Sequence, residues 1–114
     1  MHTYLLIFRA DYTAIARVPQ AEMQLRIEKW LDWVDFIARQ SRLEEGGNHL
    51  APDGRVITKE AGVTNGPYAA NNESVLGYIL VKATGYDEAA ELAKSCPILA
   101  GDNTSVEVRK TGSL

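Results

Sequence analysis

The sequence predicts an α+β fold, and three observations carry this prediction. A short apolar segment near the start is typical of a buried strand, a long amphipathic segment after it is typical of a helix, and a similar pair of segments follows in the second half. The chain has 114 residues, enough for one domain with one core, which we expect to span residues 1–114. Apolar residues make up 46% and charged residues 24%, so disordered, collagen-like and coiled-coil classes are excluded.

The first strand and the first helix are predicted from apolar spacing. Residues 4–8 form a continuous apolar run closed by Arg9, which fits a strand buried on both faces and is too short for a membrane span or a signal peptide. Pro19 suits the first turn of a helix. Apolar residues then recur at helical spacing and predict a helix over residues 19–40: Met23, Ile27, Trp30, Val34 and Ile37.

Two aromatic side chains of this helix, Trp33 and Phe36, point away from its apolar stripe. Aromatic rings are enriched at interfaces, so we expect a partner subunit or the flanking loops to cover them, rather than a cofactor.

The middle of the chain is rich in turn residues. Pro52-Asp53-Gly54 separates two short segments, residues 48–50 and 55–57, and predicts a small hairpin or a bent edge strand. Residues 62–72 contain Asn65-Gly66-Pro67, which predicts an ordered loop without regular structure.

The second half repeats the pattern of strand and helix. Residues 75–83 have almost no polar side chain and predict a second buried strand. Thr84 and Asp87 match a capping box, and an apolar face continues from there to Cys96, so a second helix is expected. Val106 and Val108 alternate with charged residues, which predicts a half-exposed last strand.

The order strand, helix, strand, strand, helix, strand is the ferredoxin-like βαββαβ order, in which both helices cover one face of an antiparallel sheet. The two apolar strands need cover on both faces, and two helices supply it on one face only. The simplest cover for the other face is the same face of a second copy. We therefore expect a homodimer with the sheets packed face to face.

Charge and cysteine content narrow the partners and the compartment. The formal net charge is -3, without a concentrated basic patch, which argues against nucleic-acid and membrane-surface binding. The single cysteine, Cys96, cannot form an internal disulfide, and we expect a cytoplasmic protein. Nucleotide-binding glycine motifs and metal-ligand spacings do not occur, so no cofactor and no metal are expected.

Several segments together are typical of one family: the Trp30-x-x-Trp33 helix, the loop Thr64-Asn65-Gly66-Pro67-Tyr68 and the ending Val106-Glu107-Val108-Arg109, of which the Gly-Pro loop and the ending are the more specific. On these segments the chain resembles, over nearly its whole length, the YCII-related proteins, in particular the branch named after an Asp-Gly-Pro-Phe motif. The resemblance implies a dimeric α+β barrel. The motif's aspartate is Asn65 in this chain, its phenylalanine is Tyr68, and of the carboxylates that follow only Glu73 is kept.

Two residues are candidates for proton transfer. His49 is the only histidine away from the N-terminus, and histidine is the side chain whose charge changes near neutral pH. The alternative is a surface histidine on a hairpin. Glu73 precedes the second buried strand and could reach the same pocket, or it could be a solvated glutamate at a strand start.

Three further residues are candidates for ligand binding. Asn65 and Tyr68 could present an amide and a phenol to a ligand, since loops on a rigid scaffold often carry function. Alternatively, their loop makes a tight turn with Tyr68 packed as a lid on the core. Arg109 could bind a carboxylate through its forked donors, or it could pair with Glu107.

Two functions follow as hypotheses. The first is a cofactor-free enzyme that acts on a small organic acid or lactone by proton transfer, in an isomerisation, dehydration or elimination. The second is a binding or sensor module that uses the same pocket without turnover. The loss of the carboxylate at position 65 favours the second, and the retained Glu73 supports the first.

Overall fold

The computed structural model describes residues 1–112 and has a mixed α+β architecture. Among these residues, no helix is long and apolar enough to cross a membrane. The described elements are, in chain order, β1 (His2–Asp11), α1 (Tyr12–Ile15), α2 (Gln20–Arg39), β2 (Leu43–His49), β3 (Arg55–Thr58), β4 (Gly62–Asn65), β5 (Ala69–Ala70), β6 (Glu73–Ala83), α3 (Tyr86–Lys94), a 3-10 helix (Pro97–Ala100) and β7 (Ser105–Lys110).

The main sheet is antiparallel, with the strand order β2-β6-β1-β7, and the short β5 also pairs with β6. β1 is central, and its Leu6 lies opposite Ile79 of β6 and Val108 of β7. The predicted first, second and last strands are thus confirmed, each longer than its apolar run.

The core lies on one face of this sheet. Tyr4, Leu6 and Phe8 alternate along β1 and are buried, because successive side chains of a strand point to opposite faces. They belong to one cluster with residues of α2 and α3: Trp33, Ile37, Ala89, Leu92 and Ala93. Both long helices therefore cover the same face of the sheet.

The other face, which we call the open face, is only half-buried. Its apolar residues come from the two central strands: Leu5 and Ile7 of β1, and Tyr78 and Leu80 of β6. The molecule measures 42 × 42 × 20 Å, and the short dimension is that of one sheet and one helix layer. The expectation that the strands are buried on both faces is therefore met on one face only within a single chain.

Helix α2 has nearly the predicted bounds, but Trp33 is covered differently from our expectation. Its indole Nε1 donates hydrogen bonds to the Leu92 carbonyl at 3.3 Å and to Ser95 Oγ at 3.0 Å, and the side chain is 5% exposed. Cover by a partner subunit or by loops is wrong for Trp33, since α3 of the same chain covers it. Phe36 remains 52% exposed.

The strands in the middle of the chain pair with partners other than those that the turn residues predict. β2 lies beside β6, whereas β3 pairs with β4 in a separate two-stranded sheet. The hairpin alternative around Pro52-Asp53-Gly54 is therefore wrong, whereas the edge-strand alternative agrees with residues 48–49, which end the irregular edge strand β2. The predicted loop over residues 62–72 contains β4 and β5. Turn residues mark where a strand stops, but its partner is chosen by contacts distant in sequence.

Helix α3 begins without the predicted capping box. Its N-cap is Gly85, which offers no side chain to the helix, and Thr84 Oγ1 instead donates to Glu88 Oε2 at 3.0 Å. Cys96, just beyond the helix, is 3% exposed, as its place on the apolar face predicts. Burial raises the pKa of its thiol to about 11.

We expect Cys96 to resist thiol reagents in the folded protein. At pH 8 a thiol with this raised pKa is about a hundredfold poorer in thiolate than an ordinary thiol, and the buried sulfur is also hard to reach. Labelling with a chromogenic disulfide reagent should be at least about a hundredfold slower in buffer than in denaturant. Equal rates would show that the sulfur is exposed.

Candidate functional site

A cavity of about 610 Å³ lies between the N-terminal half of α2, one end of the sheet and the 3-10 helix. Its apolar lining includes Phe8, Leu76 and Ile98. The space exists because α2 does not close onto the sheet along this half, where Leu25 is 59% exposed and Ile27 is 39% exposed. The size and the apolar lining are those of a small-molecule site.

Aromatic rings form the floor of this cavity. Trp30 packs edge-on against Phe8, with ring centroids 4.5 Å apart and an interplanar angle of 85°. Trp30 also contacts the imidazole of His49, with centroids 5.0 Å apart and an angle of 57°. The ring centroid of the buried Trp33 lies 5.2 Å from that of Trp30, so Trp30 also contacts the core. A rigid aromatic surface is therefore available to a planar or apolar ligand.

His49 reaches the cavity because of the irregular pairing of β2. The register of β2 against β6 shifts twice between Leu43 and Asn48, and His49 then lies opposite Gly77. Gly47 makes the approach possible, because its φ of 61° is in the left-handed region and a Cβ there would lie 1.8 Å from the Tyr78 carbonyl oxygen. The backbone N–H of Leu50 donates to the Leu76 carbonyl at 2.9 Å and holds the strand end in place.

The imidazole of His49 makes no hydrogen bond to any other residue in the described part of the chain. The side chain is exposed, with the cavity on one side. The imidazole therefore has hydrogen-bonding capacity left for a ligand or for water.

Three charged residues of α2 also line the cavity. Arg26 donates to Glu22 Oε1 at 2.8 Å, so these two charges compensate each other. Lys29 has no carboxylate within 4 Å among residues 1–112. Lys29 is thus the charged residue of the described lining that is not held in an ion pair.

The structure does not bring the five predicted site residues together. His49 lines the cavity, whereas Glu73, Asn65, Tyr68 and Arg109 are not part of its described lining. Glu73 starts β6 in register with Asp11 and is half-buried, and Arg109 donates to Glu107 Oε2 at 3.3 Å, the pairing that was its structural alternative.

The Asn-Gly-Pro loop closes the root of the β3–β4 hairpin. The N–H of Gly66 donates to the Gly54 carbonyl at 2.8 Å, and Gly66 has a φ of 93°, as a tight turn requires. Tyr68 is 82% exposed, so it is not a lid on the core. A shallow groove of about 500 Å³ separates this root from α1.

The carboxylate of Glu107 on β7 forms ion pairs with two arginines, Arg9 of β1 and Arg109 of β7. A hydrogen bond from Arg9 lowers the pKa of the Glu107 carboxyl group, and the hydrogen bond from Arg109 adds to the effect. The carboxylate is therefore already occupied. Within residues 1–112, His, Cys, Asp and Glu side chains do not gather in threes closely enough to hold a metal ion.

Sequence reasoning did not single out Lys29 and Arg26, and it assigned Trp30 to the core stripe. Their helical spacing shows which side chains share a face, but not that half of this face lies over a cavity instead of a packed sheet. The only advance signal was the aromatic pair Trp30 and Trp33 on one helix.

The fold and the cavity define an α+β protein with a largely apolar cavity lined by Trp30 and His49. A scan against protein-family models gives no match, and a search of curated proteins finds no significant relative either.

Proposed function

We propose that the cavity binds a small organic acid or lactone and that His49 moves a proton on it without a cofactor. The observation that carries this proposal is the imidazole itself, which lies against Trp30 at an apolar cavity and has no hydrogen-bond partner among residues 1–112. An apolar surround lowers the local dielectric and strengthens a hydrogen bond between the imidazole and a bound carbonyl.

The chemistry needs only one group that both accepts and returns a proton. Histidine can take a proton from the carbon next to a carbonyl group and deliver it to another atom of the same molecule. The result is an isomerisation, or an elimination when a leaving group departs. The packing against Trp30 restricts the imidazole, so that the proton is transferred along one direction.

The other predicted residues have weaker support. Neither the Glu73 nor the Arg109 side chain is part of the described cavity lining, so we rest the proposal on His49. Asn65 ends β4 and Tyr68 is 82% exposed, and neither is part of the described cavity lining.

A binding module without turnover is the second candidate, and one observation favours it. The one carboxylate of the described lining, that of Glu22, is paired with Arg26, so none is free to orient the imidazole. Catalytic histidines are commonly oriented by a second group.

A panel of lactones, hydroxy acids and phenolic acids, followed by one-dimensional proton NMR, separates these functions. New product signals in the presence of the protein would support the enzyme. Line broadening of a compound without product would support the binding module. A panel with neither effect would contradict both.

We also propose that the fold is ferredoxin-like and that the chain is a YCII-related protein, in keeping with the sequence resemblance. The strand order supports the first part, because the four long strands, numbered in chain order, lie as second, third, first and fourth. The cytoplasm remains the expected compartment, supported by the unpaired Cys96.

A homodimer through the open face completes this proposal. Leu5, Ile7 and Leu80 form a half-buried apolar centre on the open face. Two ion pairs lie around it: Arg9 with Glu107, and Lys82 with Glu44. A second copy offers the same apolar centre and can place opposite charges against this rim.

We expect Leu80→Glu to convert the dimer into a monomer, because it places a carboxylate in the middle of each apolar face. Light scattering at micromolar concentration should give half the wild-type mass. Leu31→Glu is the matched control, since Leu31 is 58% exposed on α2 in the helix layer. A monomeric wild type, or a folded Leu80→Glu variant that stays dimeric, would contradict the interface.

A further inference from the structure

We propose that Lys29 is the carboxylate anchor of the cavity and that its ligand is an aromatic carboxylate. This inference rests on the proposed function of the cavity and assigns its substrate class. It joins two observations, the indole of Trp30 and an ammonium group without an ion-pair partner within 4 Å, both at the same cavity.

The apolar part of the ligand follows from the lining. The half-buried Trp30 and Ile98 contribute accessible hydrocarbon surface, and the cavity of about 610 Å³ is large for a ligand of a few carbon atoms. Trp30 covers the buried Phe8 edge-on, and its own half-buried indole is the surface against which a flat ring can pack in an offset or edge-on arrangement. A planar aromatic body is therefore the best fit.

The charged part follows from the ion pairs of α2. Glu22 is bound to Arg26, so neither offers a full charge to a ligand. Lys29 has no carboxylate within 4 Å in the described chain, and it precedes Trp30 directly. A carboxylate at the mouth would pair with its ammonium group while the ring lies on the floor.

This arrangement also places the reacting part of the ligand. An acid whose carboxylate pairs with Lys29 holds its ring beside Trp30, and the imidazole of His49 packs against the same indole. Lys29 would thus bind and orient, and His49 would carry the proton. The anchor that the sequence suggested, Arg109, is instead paired with Glu107.

The test compares two probes that differ only in charge, 2-naphthoate and 2-naphthamide, by isothermal titration calorimetry. In Lys29→Gln we expect the affinity for 2-naphthoate to fall about fivefold, in the range of a partly exposed ion pair, and that for 2-naphthamide to stay within about twofold. Lys94→Gln is the matched control, because Lys94 pairs with Glu91 on α3 and is not part of the described cavity lining, and it should change neither affinity.

The outcomes separate this inference from the proposed function. Equal affinity for both probes in the wild type, no effect of Lys29→Gln, or no binding of 2-naphthoate would overturn the anchor. Catalysis by His49 is judged separately, by turnover in the panel of acids and lactones. Binding of 2-naphthoate that depends on Lys29, without turnover of any panel compound, would support the anchor and contradict the enzyme.

Discussion

Gly47→Ala is expected to lower the free energy of unfolding by about 3 kcal/mol or more. A Cβ at this position would lie 1.8 Å from the backbone oxygen and 2.7 Å from the carbonyl carbon of Tyr78. The φ of Gly47 is 61°, which alanine adopts only with strain. Relief requires β2 to move away from β6, and this would break the pairing that places His49 at the cavity.

Gly46→Ala is the matched control for this prediction. A Cβ at Gly46 would have no heavy atom within 4 Å, and Gly46 is not among the positive-φ glycines. The neighbouring substitution should therefore change the unfolding free energy by less than about 1 kcal/mol. Urea denaturation of both variants and the wild type measures the difference. Equal stability losses in the two variants would contradict the described register of β2.

His49→Gln is expected to lower the rate of any proton-transfer reaction found in the panel by about 10²- to 10⁴-fold. Glutamine retains hydrogen-bonding ability and approximate size, but it does not exchange a proton near neutral pH. The substitution lies at a strand end with an exposed side chain, so the fold should remain unchanged. The measurement is the initial rate of product formation by NMR at saturating substrate.

The second histidine supplies a control for this rate effect. His2 is exposed at the start of β1, and His2→Gln should keep the wild-type rate and its pH dependence. A full rate in His49→Gln would show that another group transfers the proton. Binding would then be the only role left for the imidazole.

The sequence predicted the central elements well because their patterns reflect burial directly. β1 and β6 are continuous apolar runs, and α2 has apolar residues at helical spacing over twenty residues. These patterns predict the elements correctly because their apolar residues pack in one core on one face of one sheet.

The sequence failed where long-range contacts decide the outcome. The pairing of β3 with β4, and of β2 with β6, depends on which backbone edge is available, and turn residues do not reveal this. Trp33 was placed away from the stripe because helical geometry alone does not show that α3 packs against that side.

Of the five candidate residues, His49 lies at the described cavity, and whether it acts there stays a prediction. Histidine stands out by its chemistry, whereas the cavity beside it is formed by elements that are distant in sequence: α2, β1, β6 and the 3-10 helix. Lys29 looks like any solvated lysine of a helix until its neighbours in space are known.

The central claim is that a ligand lies in the cavity beside Trp30 and His49. The most direct test is a two-dimensional ¹H–¹⁵N NMR titration with the panel compound that shows the strongest line broadening. The chain has two tryptophans, and we expect the indole N–H signal of Trp30 to shift clearly, while that of Trp33, which is hydrogen-bonded to Leu92 and Ser95, shifts less. Shifts confined to the open face or to the groove beside α1, with the Trp30 indole unchanged, would contradict the account.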